Sequence, residues 1–421
     1  MTEPSPMETC NDHSDHTAAI NLKILKQCGF YQMFTPNSKK IFGWNVYLLS
    51  FIVLTVITQC LIGIGNFGFL FDLEDINTNV DLFLIIFATS FNYLTVLKVV
   101  ILIFNKTKVL ELLDVTDLKF LKSKHCRNNI EILYKYRDRA LRLTNLYFNF
   151  CIFVLTQWIT FPIMINSFVT YKKDNQRLEN VINRPYLTDV NTFNKYYVLF
   201  YVFEAIIAIK SVYLVLMVDL LLLSIGWAII VQYEVLAIAF KNIGHNENLQ
   251  KDHDHDVVDD YKCFKSILFD QQKLDLKVKL YFSIMKPIVL MHVVISSVLI
   301  IMLSNSFLTV FLSTKSFTYT IVSVFKIGTG VLYIGLQLFL YCHLFDNIHS
   351  MRESVNLGIY FCNWTKKDLK FKKLLLLTMR INNANQIIMK ASTKKIINLQ
   401  LFGNVLMTSY NIVSVMLKTL G

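Results

Sequence analysis

The sequence predicts an all-α polytopic membrane protein: seven transmembrane helices, a cytoplasmic N-terminus and an extracellular C-terminus. Composition is the first reason. Of 421 residues, 54% are hydrophobic, 14% aromatic and only 17% charged, with mean hydropathy +0.45. Six prolines and 13 glycines leave room for long unbroken helices and do not fit the alternation of a membrane β-barrel. Periodic apolarity is the second. Runs of bilayer-spanning length fall at 41–66, 80–104, 144–170, 196–220, 282–305, 318–345 and 396–418. Charge placement is the third. Of 42 Lys and Arg, 31 lie in the N-terminal tail and segments 105–143, 241–281 and 346–395, against seven in the alternate segments. The positive-inside rule puts the first set in the cytoplasm. The net charge of +12 therefore reports topology and not a nucleic-acid face.

The elements follow in order. Residues 1–40 read as a cytoplasmic tail; Asp12, His13, Asp15 and His16 interrupt any apolar core, so no cleavable signal peptide is expected. Residues 41–220 carry helices one to four. Gly63, Gly65 and Gly68 spell G-x-G-x-x-G, but they end a membrane run and enter the acidic loop of Asp72, Glu74 and Asp75, which is no dinucleotide context. Residues 221–281 read as cytoplasmic helical extension and loop. From Tyr196 to Phe240 no proline intervenes, and about 45 helical residues measure ~67 Å, twice the ~30 Å hydrocarbon core. Within this segment, Asp252-His253-Asp254-His255-Asp256 offers metal ligands, although a solvated loop explains it as well.

Lys262 to Leu280 is a mixed amphipathic stretch leading into helices five and six, residues 282–345. Residues 346–395 read as cytoplasmic anchor helices, where Leu374, Leu377, Ile381, Ala384 and Ile388 form an apolar stripe opposite Lys373, Arg380, Asn383 and Lys390. Such extensions are expected to pack on one another or on neighbouring subunits; the alternative is helices lying on the inner leaflet. Residues 396–421 form the last helix, from Ile396 to Gly421. Gln400, Asn404, Thr408, Asn411, Val415 and Lys418 recur at spacings of four and three and share one face. A polar stripe in lipid must face protein or water. It either joins two helices by hydrogen bonds or lines a pore repeated around an axis.

Six ionisable residues fall inside the runs. Lys98, Asp219 and Lys286 lie near the cytoplasmic boundary, where long side chains snorkel, whereas Glu204 and Lys210 lie deeper, and Lys326 sits in the sixth run. Cys10, Cys28, Cys126, Cys263, Cys342 and Cys362 map to the reducing side or its edge, so disulfides are not expected. Asn105 and Asn363 head sequons on that same side, where glycosylation is not expected. No nucleophile, metal or phosphate-binding motif supports an enzyme, and no cofactor or metal is expected. The outer halves of the second to fourth helices are dense in aromatics: Phe83, Phe87, Phe91, Trp158, Phe161, Tyr197, Phe200, Tyr201 and Phe203. Rings with little charge suit a pocket for a small apolar molecule, as they also suit a plain bundle core.

Loose motifs recur in one order over nearly the whole chain. They are Arg184-Pro185-Tyr186 before the fourth helix, Asp219 within it, Leu340-Tyr341-Cys342, Ser350, Gly358-Ile359-Tyr360, Trp364, Lys372-Lys373-Leu374-Leu375, Phe402 and Thr408-Ser409-Tyr410. In these, and in its inverted topology, the sequence resembles the insect odorant receptor family. Cys342-His343-Leu344-Phe345-Asp346 departs from that family's Gly-and-Glu pattern. The resemblance implies a tetrameric, ligand-gated, non-selective cation channel at the plasma membrane of sensory dendrites. Odorant-binding subunits join a shared odorant co-receptor, with the pore along the last helix. The short loop between the fourth and fifth helices implies the tuning subunit. The resemblance also implies a gate at Val415, a pore lined from Asn404, Thr408 and Asn411 to Lys418 and Thr419, and an odorant pocket around Trp158 and the second-helix aromatics. Thr419 stands where the co-receptor has Leu, and Lys418 would repel cations if four copies lined one pore. The alternatives are a gustatory-type homomeric channel and, from another class, a secondary transporter, which would need paired mid-membrane charges or internal repeats. A G-protein-coupled receptor would need the opposite orientation.

Overall fold

A computed structural model describes residues 22–35, 38–41, 43–71, 79–169, 177–184, 186, 188–245, 253–312, 317–392 and 395–420. Eight helices carry the architecture: α1 (Val46–Phe71), α2 (Asn79–Phe104), α3 (Ile130–Val169), α4 (Tyr197–Lys241), α5 (His253–Leu312), α6 (Phe317–Tyr360), α7 (Leu369–Ala384) and α8 (Leu399–Leu420). Among the described residues, α1 to α6 are each long and apolar enough to cross a membrane. The seventh crossing is α8: 22 residues span ~33 Å, and its polar face lowers its mean apolarity.

The axis of the molecule is α4. It has 45 residues, and from Leu214 to Leu236 all but Trp227 and Glu234 are buried. It is hydrophobic all round, as a helix enclosed by others must be. Close approach is made possible by glycine at two points. A Cβ on Gly226 would fall 2.6 Å from Leu344, and one on Gly358 of α6 would fall 2.3 Å from the Ala237 carbonyl oxygen of α4. The helices that leave the membrane do pack on one another in the cytoplasmic half. Phe240, Phe264 and Phe371, from α4, α5 and α7, pack in sequence at 5.2 Å each, the first pair tilted and the second edge-on. Tyr233 donates to Asp275 at 2.6 Å, and Arg352 lies 3.5 Å from the same carboxylate. Residues 220, 281 and 345, read as domain edges, fall inside the continuous helices α4, α5 and α6.

Several expectations need correction. The first helix begins at Val46, because Lys40–Ile41 and Trp44–Asn45 form a small antiparallel hairpin around Gly43 at φ +81°. Asn45 then caps the helix, accepting from the Tyr47 N–H at 3.0 Å. The last helix begins at Leu399: Lys390 and Ile396 form an isolated antiparallel bridge ahead of it, and Asn398 caps through the Leu401 N–H at 3.1 Å. The third helix starts at Ile130, well before residue 144, since its charged first turns lower hydropathy without costing helix propensity. The tail is not wholly apart from the bundle, for Leu25, Phe30, Met33 and Phe34 are buried. On α7 the buried face is Phe371, Leu375 and Thr378, while Leu377 and Ile381 are exposed and Ile388 lies beyond the helix end. The bulky Phe371 ring, seated against Phe264, sets that rotation.

Lys98 and Asp219 do not snorkel. They pair at 3.2 Å, each 1% exposed, in the centre of the bundle. Tyr147 of α3 donates to the same carboxylate at 3.0 Å, and Gln337 and Tyr341 of α6 donate as well. A carboxylate in apolar surroundings is tolerable only when its lone pairs are satisfied in this way. The run Asp252 to Asp256 has no described side chains.

Candidate ligand-binding site

Between α2, α3, α4 and α6, in the outer half of the bundle, lies a cavity of about 70 Å³. That is several times the ~10–15 Å³ a single water needs. Phe87 and Phe91 come from successive turns of α2 and stack at 5.9 Å. Trp158 of α3 lies 5.5 Å from Phe87, and Tyr333 of α6 meets Phe91 edge-on at 5.9 Å. Ile207, Ala208, Ser211 and Val212 close the α4 side, at the spacing of one helical face. Gly330 makes the space for Trp158, since a Cβ there would fall 3.1 Å from its Cζ2.

The roof is a loop. Val181 and Ile182, from the connection between α3 and α4, both line the cavity. Glu204 holds them in place by accepting from the Ile182 N–H at 2.7 Å, the Arg184 N–H at 3.2 Å and the Tyr186 hydroxyl at 3.2 Å. Burial and the Glu204 carboxylate hold the Tyr186 phenol above its ordinary pKa, so it remains a donor. Lys326 of α6 donates to the Val181 carbonyl at 2.9 Å and sits 5.1 Å from the Trp158 ring centre. Arg184 reaches Asn66 of α1 at 2.7 Å, and Gly65 leaves room for it, a Cβ there falling 3.0 Å from its Cδ. Asn183 turns the loop at φ +60°, a conformation asparagine tolerates. Asn166 of α3 ties in Glu179 through both of its backbone groups.

Of the eight sequence-predicted pocket residues, Phe87, Phe91 and Trp158 line this cavity. Phe83 stands one turn beyond Phe87 on α2, half-buried, and Phe161 packs 5.9 Å from Phe325. Phe200 stacks between Tyr186 at 4.7 Å and Phe193 at 5.0 Å, while Tyr197 lies 5.8 Å from Tyr201 and accepts from Asn166. Those rings brace the roof from outside. Phe203, half-buried, is not part of the lining. Neither Glu204 nor Lys210 reaches the cavity; Lys210 donates to Thr58 at 2.6 Å. Val181, Ile182, Ile207, Ser211, Gly330 and Tyr333 were not singled out in the sequence. A face of small and branched residues on α4, and a Gly with an aromatic one turn later on α6, are signals that point to them.

On α8, Val413 and Ser409 are buried and Phe402 packs 5.5 Å from Phe339 of α6. The stripe looks the other way. Gln400, Asn404 and Thr408 line an open groove with Ser297 and Ile301 of α5, about 390 Å³ in volume. Asn411, Val415 and Lys418 are exposed, and the Thr419 side chain lies outside the described residues. Among the described residues, no hydrogen bond joins the side chains of Gln400, Asn404, Thr408 or Asn411 to another helix.

Residues 78–410 match the family described as 7tm Odorant receptor. Solved structures share the fold, two of them as follows. One is the insect olfactory receptor OR5 from Machilis hrabei, with TM-score 0.69, 14% identity, and coverage of 94% of this chain and 98% of that one. The other is the same receptor in complex with eugenol, with TM-score 0.72, 13% identity and the same coverage. No curated protein sequence matches the chain.

Proposed function

Because the chain belongs to the 7tm odorant receptor family, we propose that it is the odorant-binding subunit of a ligand-gated, non-selective cation channel, assembled with odorant co-receptor subunits at the plasma membrane. The observation that carries this reading is the aromatic-lined cavity under Val181 and Ile182. It suits a small, largely apolar volatile: burying apolar surface there is worth roughly 25 cal/mol per Å². The related receptor solved with eugenol gives a precedent for a small aromatic ligand in this fold. Opening then requires that the ligand bind the open state better than the closed one.

The pore role of α8 rests on its polar stripe, in which, among the described residues, the side chains of Gln400, Asn404, Thr408 and Asn411 hydrogen-bond to no other helix. Four copies of that stripe around an axis would face water. Lys418 at the outer end favours a mixed assembly in which the partner subunits supply most of the lining. The test is two-electrode voltage clamp of oocytes expressing the chain with and without an insect odorant co-receptor, challenged with a panel of volatiles. Currents that need both subunits are expected. Currents from this chain alone would replace the tuning-subunit reading with a self-sufficient channel.

A further inference from the structure

The cavity is lined almost wholly by carbon, yet it holds two buried donors with no oxygen or nitrogen acceptor in place. Trp158 is 8% exposed and Tyr333 5%. Among the described residues, the Trp158 indole Nε1–H makes no hydrogen bond, and the Tyr333 hydroxyl, which faces Tyr147 and the weakly accepting Cys151 thiol, has no oxygen or nitrogen acceptor in hydrogen-bond geometry. The other lining hydroxyl is engaged: Ser211 donates to the Ile207 carbonyl at 2.8 Å and accepts from Asn92 at 3.2 Å. Buried donors in proteins are nearly always paired, and an orphan costs the desolvation of its group. Two such donors in the lining of one cavity, from α3 and α6, mark where a guest supplies what the protein does not.

We propose that the cavity selects volatiles carrying a hydrogen-bond acceptor, a carbonyl, ester or ether oxygen, which the Tyr333 hydroxyl and the Trp158 indole N–H hold. Resting on the cavity being the odorant site, this narrows the ligand from apolar volatiles in general to those with an oxygen acceptor on an apolar body. A hydrocarbon of the same shape leaves both donors unpaired. A site built to bond a polar atom rejects the analogue lacking it more strongly than an apolar wall rejects a missing methylene.

The test uses acetophenone and 2-phenylpropene, which share a shape and differ in C=O against C=CH2. Binding is read by headspace gas chromatography over the full chain purified with its co-receptor, so it does not depend on channel opening. Gly330→Leu, which fills the space beside Trp158, supplies the blocked-cavity control. Comparing the ketone-to-alkene ratio between variants cancels the alkene's greater hydrophobicity. The intact protein is expected to favour the ketone. Tyr333→Phe is expected to lower that ratio about tenfold and Trp158→Phe about threefold, the loss of one hydrogen bond each. An unchanged ratio in both variants overturns the inference and leaves the odorant site standing. Retention no greater than in Gly330→Leu overturns both. Ketone-selective binding without any odorant-evoked current upholds the inference and overturns the channel reading.

Discussion

The Lys98 ammonium and the Asp219 carboxylate meet at 3.2 Å with each side chain 1% exposed, and that carboxylate also receives Tyr147, Gln337 and Tyr341. One acid therefore joins α2, α3, α4 and α6 immediately below the cavity. Asp219→Ala strands a buried cation, and loss of one partner of such a pair costs about 3–5 kcal/mol. The expected outcome is a sharp fall in surface expression and in the Tm of the detergent-solubilised protein. Replacing both partners, Lys98→Met with Asp219→Leu, should recover part of the loss. A double variant as unstable as the single one would show that the hydroxyls, not the ion pair, dominate this node.

Glu204 fastens the roof through two backbone N–H groups and one phenol. Glu204→Gln keeps the shape, loses the charge and offers one acceptor oxygen in place of two. Charge-assisted bonds contribute roughly 1.5–3 kcal/mol each, so the roof should open more often and ligand dissociation should accelerate about tenfold or more. The decay of odorant-evoked current after washout reads this directly, and an unchanged decay would exclude the loop from the exit route.

Trp158→Ala removes the largest ring from the cavity wall. Core Trp or Phe to Ala substitutions cost about 3–5 kcal/mol, so expression must be checked alongside potency. Sensitivity to small volatiles should fall while bulkier ones gain. Gly330→Ala tests the opposite sense, because its Cβ would press on the same indole at 3.1 Å. It should shrink the accepted range, read as a dose–response series of graded ligand size.

Val415 is exposed on the face that carries Asn411 and Lys418. If it forms an apolar constriction, Val415→Asn should wet the constriction and raise basal current roughly severalfold. Lys418→Gln should raise inward cation current at fixed odorant. Unaltered basal current and conductance in both would move the pore off this face.

Much of this architecture was legible in the sequence, because membrane burial imposes a long-wavelength signal. Apolar runs, charge asymmetry and the absence of proline across α4 lead directly to its 45 residues. Boundaries were less legible wherever side-chain hydrogen bonds set them, as at Asn45 and Asn398. The site was legible only where one helix repeats an aromatic on one face, as with Phe87 and Phe91. Its roof was not, because Val181 and Ile182 are ordinary apolar residues made special by a carboxylate 22 positions away from Ile182. Lys98 and Asp219 were misread for a related reason: hydropathy records depth along a helix and says nothing of which neighbour lies opposite.

The unbroken course of α4 has a mechanical consequence. Ile207 on the cavity wall stands 12 residues above Asp219, about 18 Å, and Phe240 stands 21 residues below it, about 32 Å. With no proline or kink in between, α4 is a lever whose fulcrum is the cross-tied acid at Asp219. A tilt that shifts the cavity end by one ångström would carry the Phe240 end nearly twice as far in the opposite direction. Motion would then be least at Asp219, intermediate at the cavity wall, and largest where Phe240, Phe264 and Phe371 meet.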